Sequence, residues 1–203
     1  MKLHWSPRSP FVRKVMVAAH ELGLADRIHT VRTVVASTAP NRDLLPDNPI
    51  SKIPTLVLDD GTVIYDSVVI CEYLNDLAGG SLFPKAGMAR WNVLTWHAIV
   101  DAFLEFLLLW RAEREKPRER QTPELLAAFA VKYESGMARL EKEIAGLSAQ
   151  PVNVVHITLG LLLSYLDFRF PDFQWRDGHP ALAAWHAEFV TRPSMQATEA
   201  RDG

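Results

Sequence analysis

Asn48-Pro49-Ile50-Ser51-Lys52-Ile53-Pro54-Thr55-Leu56-Val57-Leu58-Asp59-Asp60-Gly61-Thr62-Val63-Ile64-Tyr65-Asp66-Ser67 decides how the first third of this chain folds. Thr55–Leu58 and Val63–Tyr65 are β-rich runs, and Asp59-Asp60-Gly61 between them is a hairpin turn signal. Pro54 stands at the mouth of the first run, where it removes one ladder donor. Asp66 and Ser67 open a helix, with Val69, Ile70, Tyr73, Leu74 and Leu77 expected on its buried side and Gly79 and Gly80 ending it. On the other side of the segment lies a polar loop through Pro40, Asn41, Pro46 and Pro49. Before it, Ile28–Val35 alternates as a strand does. A helix precedes that strand, with Val12, Val15, Met16, Ala19 and Leu22 at helical spacing. Ser9 is its N-cap, Pro10 its first residue and Gly23 its stop. Lys2–Trp5 is a short opening strand.

Strand, helix, strand, hairpin and helix leave little topological freedom. The first two strands lie parallel across the helical crossover, and the hairpin completes the sheet. This is the layout of a thioredoxin-like α/β domain, expected over residues 1–78. Residues 79–89 hold glycines and Pro84 and read as a linker. An all-α domain is expected over 90–203, with helices near Met88–Glu115, Pro123–Leu147, Val154–Phe168 and Pro180–Thr191.

Composition narrows the function. The 203 residues carry a net charge of −2 and 23% charged residues, so no global charge draws the chain to nucleic acid or an anionic membrane. The apolar runs Ala102–Trp110 and Leu159–Leu166 fall short of the ~20 residues a spanning helix needs. The N-terminal stretch lacks the apolar core of a signal peptide. One cysteine, Cys71, excludes an internal disulfide framework. These features point to a cytoplasmic protein. No Cys-x-x-Cys, phosphate-binding glycine loop or Gly-x-Ser-x-Gly elbow is present. His97 and Asp101 are spaced i,i+4 but lack a third ligand, so no metal is expected.

Three positions can carry chemistry. Ser9 sits where a strand hands over to a helix N-terminus, an end that favours negative charge, and its hydroxyl can donate to a thiolate. The plain alternative is a simple cap. A cis bond at Ile53–Pro54 would leave the Ile53 N–H and C=O free to pair with an extended peptide; the plain alternative is an ordinary trans proline. Asp66 and Ser67 could hold the charged end of that peptide, or merely cap.

These pieces, in this order, resemble the cytosolic glutathione S-transferase superfamily, closest to bacterial serine-type members. Ser9-Pro10-Phe11-Val12-Arg13-Lys14-Val15 is similar to the family's active-site turn and first helix. Asn48-Pro49-Ile50-Ser51-Lys52-Ile53-Pro54-Thr55-Leu56 is similar to its cis-proline segment. Tyr65-Asp66-Ser67 with Ile70-Cys71-Glu72-Tyr73-Leu74 is similar to its acidic-Ser element. The resemblance extends to Arg192-Pro193-Ser194. It implies a glutathione transferase in which Ser9 faces the glutathione sulfur. Phe11, Lys52, Ile53, Pro54, Asp66 and Ser67 then bind glutathione as co-substrate. It implies a homodimer in which Asp101 reaches across to the partner's site. The helical domain supplies the electrophile pocket and much of the dimer contact. From the aromatic stripe and its basic end, Phe106, Trp110, Arg111 and Arg114 are the expected pocket wall. Detoxification of a small apolar electrophile is the expected role. The alternatives are glutathione-dependent isomerase, dehalogenase or thiol–disulfide reductase chemistry, or a non-catalytic binding member of the fold. One departure stands out. The family's Ser/Thr-x-x-Asp capping box reads Asn153-Val154-Val155-His156 here, and His156 is not expected to replace the N3 carboxylate.

Overall fold

The computed structural model describes residues 1–202. They form two compact units, one of residues 1–85 together with 192 onward, the other of residues 86–191.

The first unit is a small α/β domain. Its sheet has β1 (Lys2–Trp5), β2 (His29–Arg32), β3 (Thr55–Val57) and β4 (Val63–Ile64) in the order β2-β1-β3-β4. β1 runs parallel to β2 and antiparallel to β3, and β4 runs antiparallel to β3. Register places His4 opposite Thr55 and Leu56 opposite Ile64. The end of β1, the start of β3 and the end of β4 therefore share one end of the sheet. The turns that leave or enter there carry Ser9, Ile53 and Asp66, so connectivity alone gathers the three candidate positions.

Helix α1 (Pro10–Glu21) follows β1, and α2 (Ser67–Ala78) follows β4; the two pack together. Leu3, Val12, Val15, Ala18, Leu56, Ile70 and Leu74 are fully buried between sheet and helices. The buried face of α2 differs from the expected one. Ser67, Ile70, Cys71, Leu74 and Asn75 are buried, while Val69 and Leu77 face solvent. Asn75 explains part of the rotation: its side-chain oxygen accepts the Leu82 N–H at 2.8 Å and so must lie on the inner side.

The C-terminal stretch departs from the expected domain limits, because residues from Arg192 onward join the first unit. Helix α7 (Pro193–Ala197) packs on α1. The Arg192 guanidinium grips the Glu21 carboxylate through two bonds of 2.9 and 2.7 Å, and the Ser194 hydroxyl donates to the same carboxylate. These bonds, to Arg192 first, hold the Glu21 carboxyl below its ordinary value near 4.5. A depressed folded value means the clamp stabilises fully above the unfolded value and is lost as pH falls through the folded one. Glu21→Gln is expected to lower stability at pH 7 by about 1–2 kcal/mol, the scale of a partly exposed charge-assisted pair. Thermal unfolding of both proteins across pH 3–7 should show that deficit shrinking toward the acid end.

The second unit is all-helical: α3 (Gly87–Arg114), α4 (Pro123–Ser148), α5 (Val154–Arg169) and α6 (Pro180–Phe189). α5 is buried on nearly every side, as its unbroken apolar run requires. Contrary to expectation, α3 is long and apolar enough to cross a membrane by length and composition; it packs against α5, burying Val93, Val100, Phe103, Leu104 and Leu107. His156 also departs from expectation. It completes the capping box, with its Nδ1 accepting the Asn153 N–H at 3.1 Å while Nε2 meets the Leu147 carbonyl at 2.9 Å. A neutral ring protonated at Nε2 satisfies both contacts, so a lone pair does the work of the family's carboxylate. Glu141 caps α6 from α4, accepting the Ala181 and Leu182 N–H groups.

Candidate active site

Ser9 is the N-cap of α1, in extended conformation with Pro10 beginning the helix. Its oxygen accepts the Val12 N–H at 3.3 Å, slightly longer than an ordinary N–H···O bond. The hydroxyl proton is given to no acceptor among the described residues. Ser9 is half-buried at the positive end of a three-turn helix, so its hydroxyl and the helix dipole favour an anion in the same place. Ser6 is more deeply buried, and its oxygen accepts from Arg32 Nη1 at 2.7 Å.

The Ile53–Pro54 bond is cis, as the peptide-pairing reading required. The Ile53 N–H and C=O bond to no other described residue, which leaves both for an added strand. Sequence reasoning assigned no role to Asn48, the residue that shapes this edge. Asn48 is buried; its amide donates to the Lys52 carbonyl (3.1 Å) and Thr55 Oγ1 (2.9 Å), and its oxygen accepts from the Ile50 N–H. A buried Asn four residues before Lys52 was the available signal, since only a side chain with both donors and an acceptor can tie such a turn. Lys52 is exposed at the rim. Asp66 is the exposed N-cap of α2, one oxygen accepting the Val68 N–H at 3.0 Å, with Ser67 buried beside it. Phe11 lies in the first turn of α1, with the Lys14 ammonium 5.4 Å from its ring centre.

The expected electrophile wall belongs to the helical unit. Trp110 is 7% exposed and packs among Phe106, Phe129, Tyr133, Phe170 and Phe173 at centroid distances of 4.9–6.3 Å. Phe106 is half-buried. Arg111 pairs with Glu115, and Arg114 pairs with Asp172 while stacking over Phe170 and Phe173. Both guanidinium groups already face carboxylates, so a carboxylate on a substrate would have to compete with them. Asp101 lies on α3, 4.0 Å from His97. Among the described residues no group of three or more potential metal ligands occurs. A cavity of about 500 Å³ lies elsewhere in the first unit, lined in part by Trp5, Ser6, Arg13, His20, Thr30 and Arg201; none of the expected site residues borders it.

The first unit thus carries the serine-capped helix start and open peptide edge that the resemblance implies, and a helical unit follows it in the chain. Comparison with known proteins agrees. Residues 8–77 match the model for the glutathione S-transferase N-terminal domain, and residues 123–188 match that for its C-terminal domain. A glutathione transferase family member from Pseudomonas fluorescens Pf-5, solved with bound glutathione, is 41% identical over 99% of both chains with a TM-score of 0.94. A structure from the same organism with bound S-(propanoic acid)-glutathione gives 39% identity, 99% coverage of both chains and a TM-score of 0.91. The uncharacterized GST-like protein YibF of Escherichia coli (strain K12) is 26% identical over 202 residues, 98% of each chain. The chain belongs to the glutathione S-transferase family.

Proposed function

We propose that this chain is a glutathione transferase that binds glutathione on the Ile53 edge and activates its thiol with Ser9. The observation that carries the reading is the gathering, at one end of the sheet, of an unbonded Ile53 N–H and C=O, an uncommitted Ser9 hydroxyl and the Asp66–Ser67 helix start. The cysteinyl backbone pairs with Ile53. The γ-glutamyl carboxylate takes the α2 N-terminus, its ammonium meets Asp66, and Lys52 meets the glycyl carboxylate. The thiolate then attacks an electrophilic carbon, forming a C–S bond as a leaving group departs or a double bond is saturated. Glutathione bound to relatives of about 40% identity supports the first half of this reading. The conjugate bound in one of them supports the second, and it makes acrylate-type acceptors worth assaying here. A serine in place of a cysteine at position 9 speaks against thiol–disulfide reduction.

Exposed apolar side chains on α2 (Val69) and α3 (Met88 and Trp91) support a homodimer, with Asp101 reaching the partner's γ-glutamyl amine. A cytoplasmic detoxifying role accords with this chemistry. Calorimetry should find saturable glutathione binding, and a panel of aryl halides, acrylates, maleyl isomers and disulfides should show turnover with an electrophile. Sedimentation of the same sample should give a dimer. Binding without turnover on any panel member would favour the non-catalytic alternative, and no binding would end the proposal.

A further inference from the structure

A second polar cluster lies in the first unit, outside the residues so far given a role in glutathione binding. His4, in the central strand β1, is buried with its side chain 8% exposed. Its Nε2 is 2.8 Å from Asp47 Oδ2, and its Nδ1 is 2.9 Å from Thr33 Oγ1. Lys2 Nζ reaches the same Asp47 oxygen at 2.8 Å. The Thr33 hydroxyl donates to the Val31 carbonyl at 3.1 Å, so it meets the ring as an acceptor. The Asp47 carboxylate can only accept. The buried ring is thus held at both nitrogens, one of them by a carboxylate brought in from the loop. Hydrogen bonds from Lys2 first, then from His4, hold the Asp47 carboxyl below its ordinary value.

Asp47 precedes Asn48, the residue that ties the Lys52 carbonyl and Thr55 into the turn before Ile53. The Asp47 and Asn48 N–H groups both bond to the Leu44 carbonyl, so the two residues move as one turn. A continuous path of short contacts thus runs from the centre of the sheet to the peptide-pairing edge.

We propose that His4 and Asp47 are positioning residues for glutathione: their buried bond fixes the loop at Asp47–Asn48 and so holds the Ile53 backbone in register for an incoming peptide. This rests on the site reading given above. Neither residue touches the thiol, so their loss acts on binding and leaves thiol activation alone. Asp47→Asn is isosteric and keeps a polar contact. It is expected to raise the glutathione dissociation constant and KM by roughly five- to twentyfold, less than the full worth of one charge-assisted hydrogen bond because the neutral contact remains. His4→Gln should do the same, and the double variant should be little worse than Asp47→Asn alone, because both substitutions weaken the same His4–Asp47 contact. Turnover at saturating glutathione and the thiolate titration midpoint should stay at wild-type values. Exchange of the 47–53 amides should accelerate in Asp47→Asn while that of α1 does not, a readout that survives if His4→Gln fails to fold. If Asp47→Asn lowers the thermal midpoint but leaves glutathione affinity unchanged, the pair only supports the fold and the proposal is overturned. If affinity falls together with a shifted thiolate midpoint, the pair acts on the thiol and the proposal is equally overturned. Wild-type protein that takes up no glutathione would remove the site reading itself; wild-type binding matched by both variants would remove this proposal alone.

Discussion

Ser9→Ala is expected to lower turnover at neutral pH by about eight- to twenty-five-fold while weakening glutathione binding only modestly. A free thiol titrates near 8.5, so only a few per cent is thiolate at pH 7. One hydrogen bond to the thiolate, worth about 1.5–3 kcal/mol, lowers that value by roughly one to two units. Removing the donor raises the thiol's pKa by the same amount, and the thiolate fraction at pH 7 falls from about 25–75% to about 3%. Activity should recover as pH climbs past the new midpoint, where the thiol ionises unaided. The cap itself contributes little, because the Val12 bond is long at 3.3 Å; its loss should cost about 0.5 kcal/mol. Ultraviolet titration of bound glutathione reads the midpoint directly. A stability loss with an unmoved midpoint would make Ser9 a cap alone. The next residue to substitute would then be Ser6, although its oxygen is already occupied by Arg32.

Trp110→Ala is expected to destabilise the helical unit by about 3–5 kcal/mol. The indole is the hub of an aromatic cluster drawn from α3, α4 and the turn after α5, and it is nearly excluded from water. Its removal forfeits the burial of a large side chain and opens a hole that the neighbouring rings cannot close by rotation alone. For a chain of this size that loss lowers the thermal midpoint on the order of 10 °C. Thermal unfolding followed by tryptophan fluorescence and circular dichroism checks it. A midpoint within a degree or two of wild type would mean that the cluster repacks freely. A changed KM for electrophiles in such a variant reports on the pocket only if the midpoint is first shown to hold.

Local chemistry made much of this legible. Pro10, Pro123 and Pro180 each mark a helix start, and β1 occupies the expected Lys2–Trp5, because proline and turn residues act over a few positions. Ser9 and Asp66 stand as N-caps, as read. What escaped depends on partners far along the chain. His4 finds Thr33 and Asp47, which are 29 and 43 residues away, and an isolated histidine in a strand says nothing of either. Arg114, expected at the pocket wall, is paired by Asp172 from 58 residues on. Val69 and Leu77 face solvent because Asn75 claims the inner side of α2 for a loop bond, a competition invisible to apolar periodicity. His156 was misjudged for another reason: the capping-box rule was read as a demand for charge, when the geometry asks only for an acceptor.

The grouping of Arg192 and the residues after it with the first 85 also bears on the order in which the protein is made. The helical unit is one continuous stretch, so a ribosome delivers every part of it in a single run. The first unit is interrupted: its sheet and two main helices emerge early, but Arg192 and Ser194, which close on Glu21, follow about a hundred residues later. At roughly 5–20 residues per second that is a delay of about 5–20 s. During it the flank of α1 around Glu21 awaits its cover.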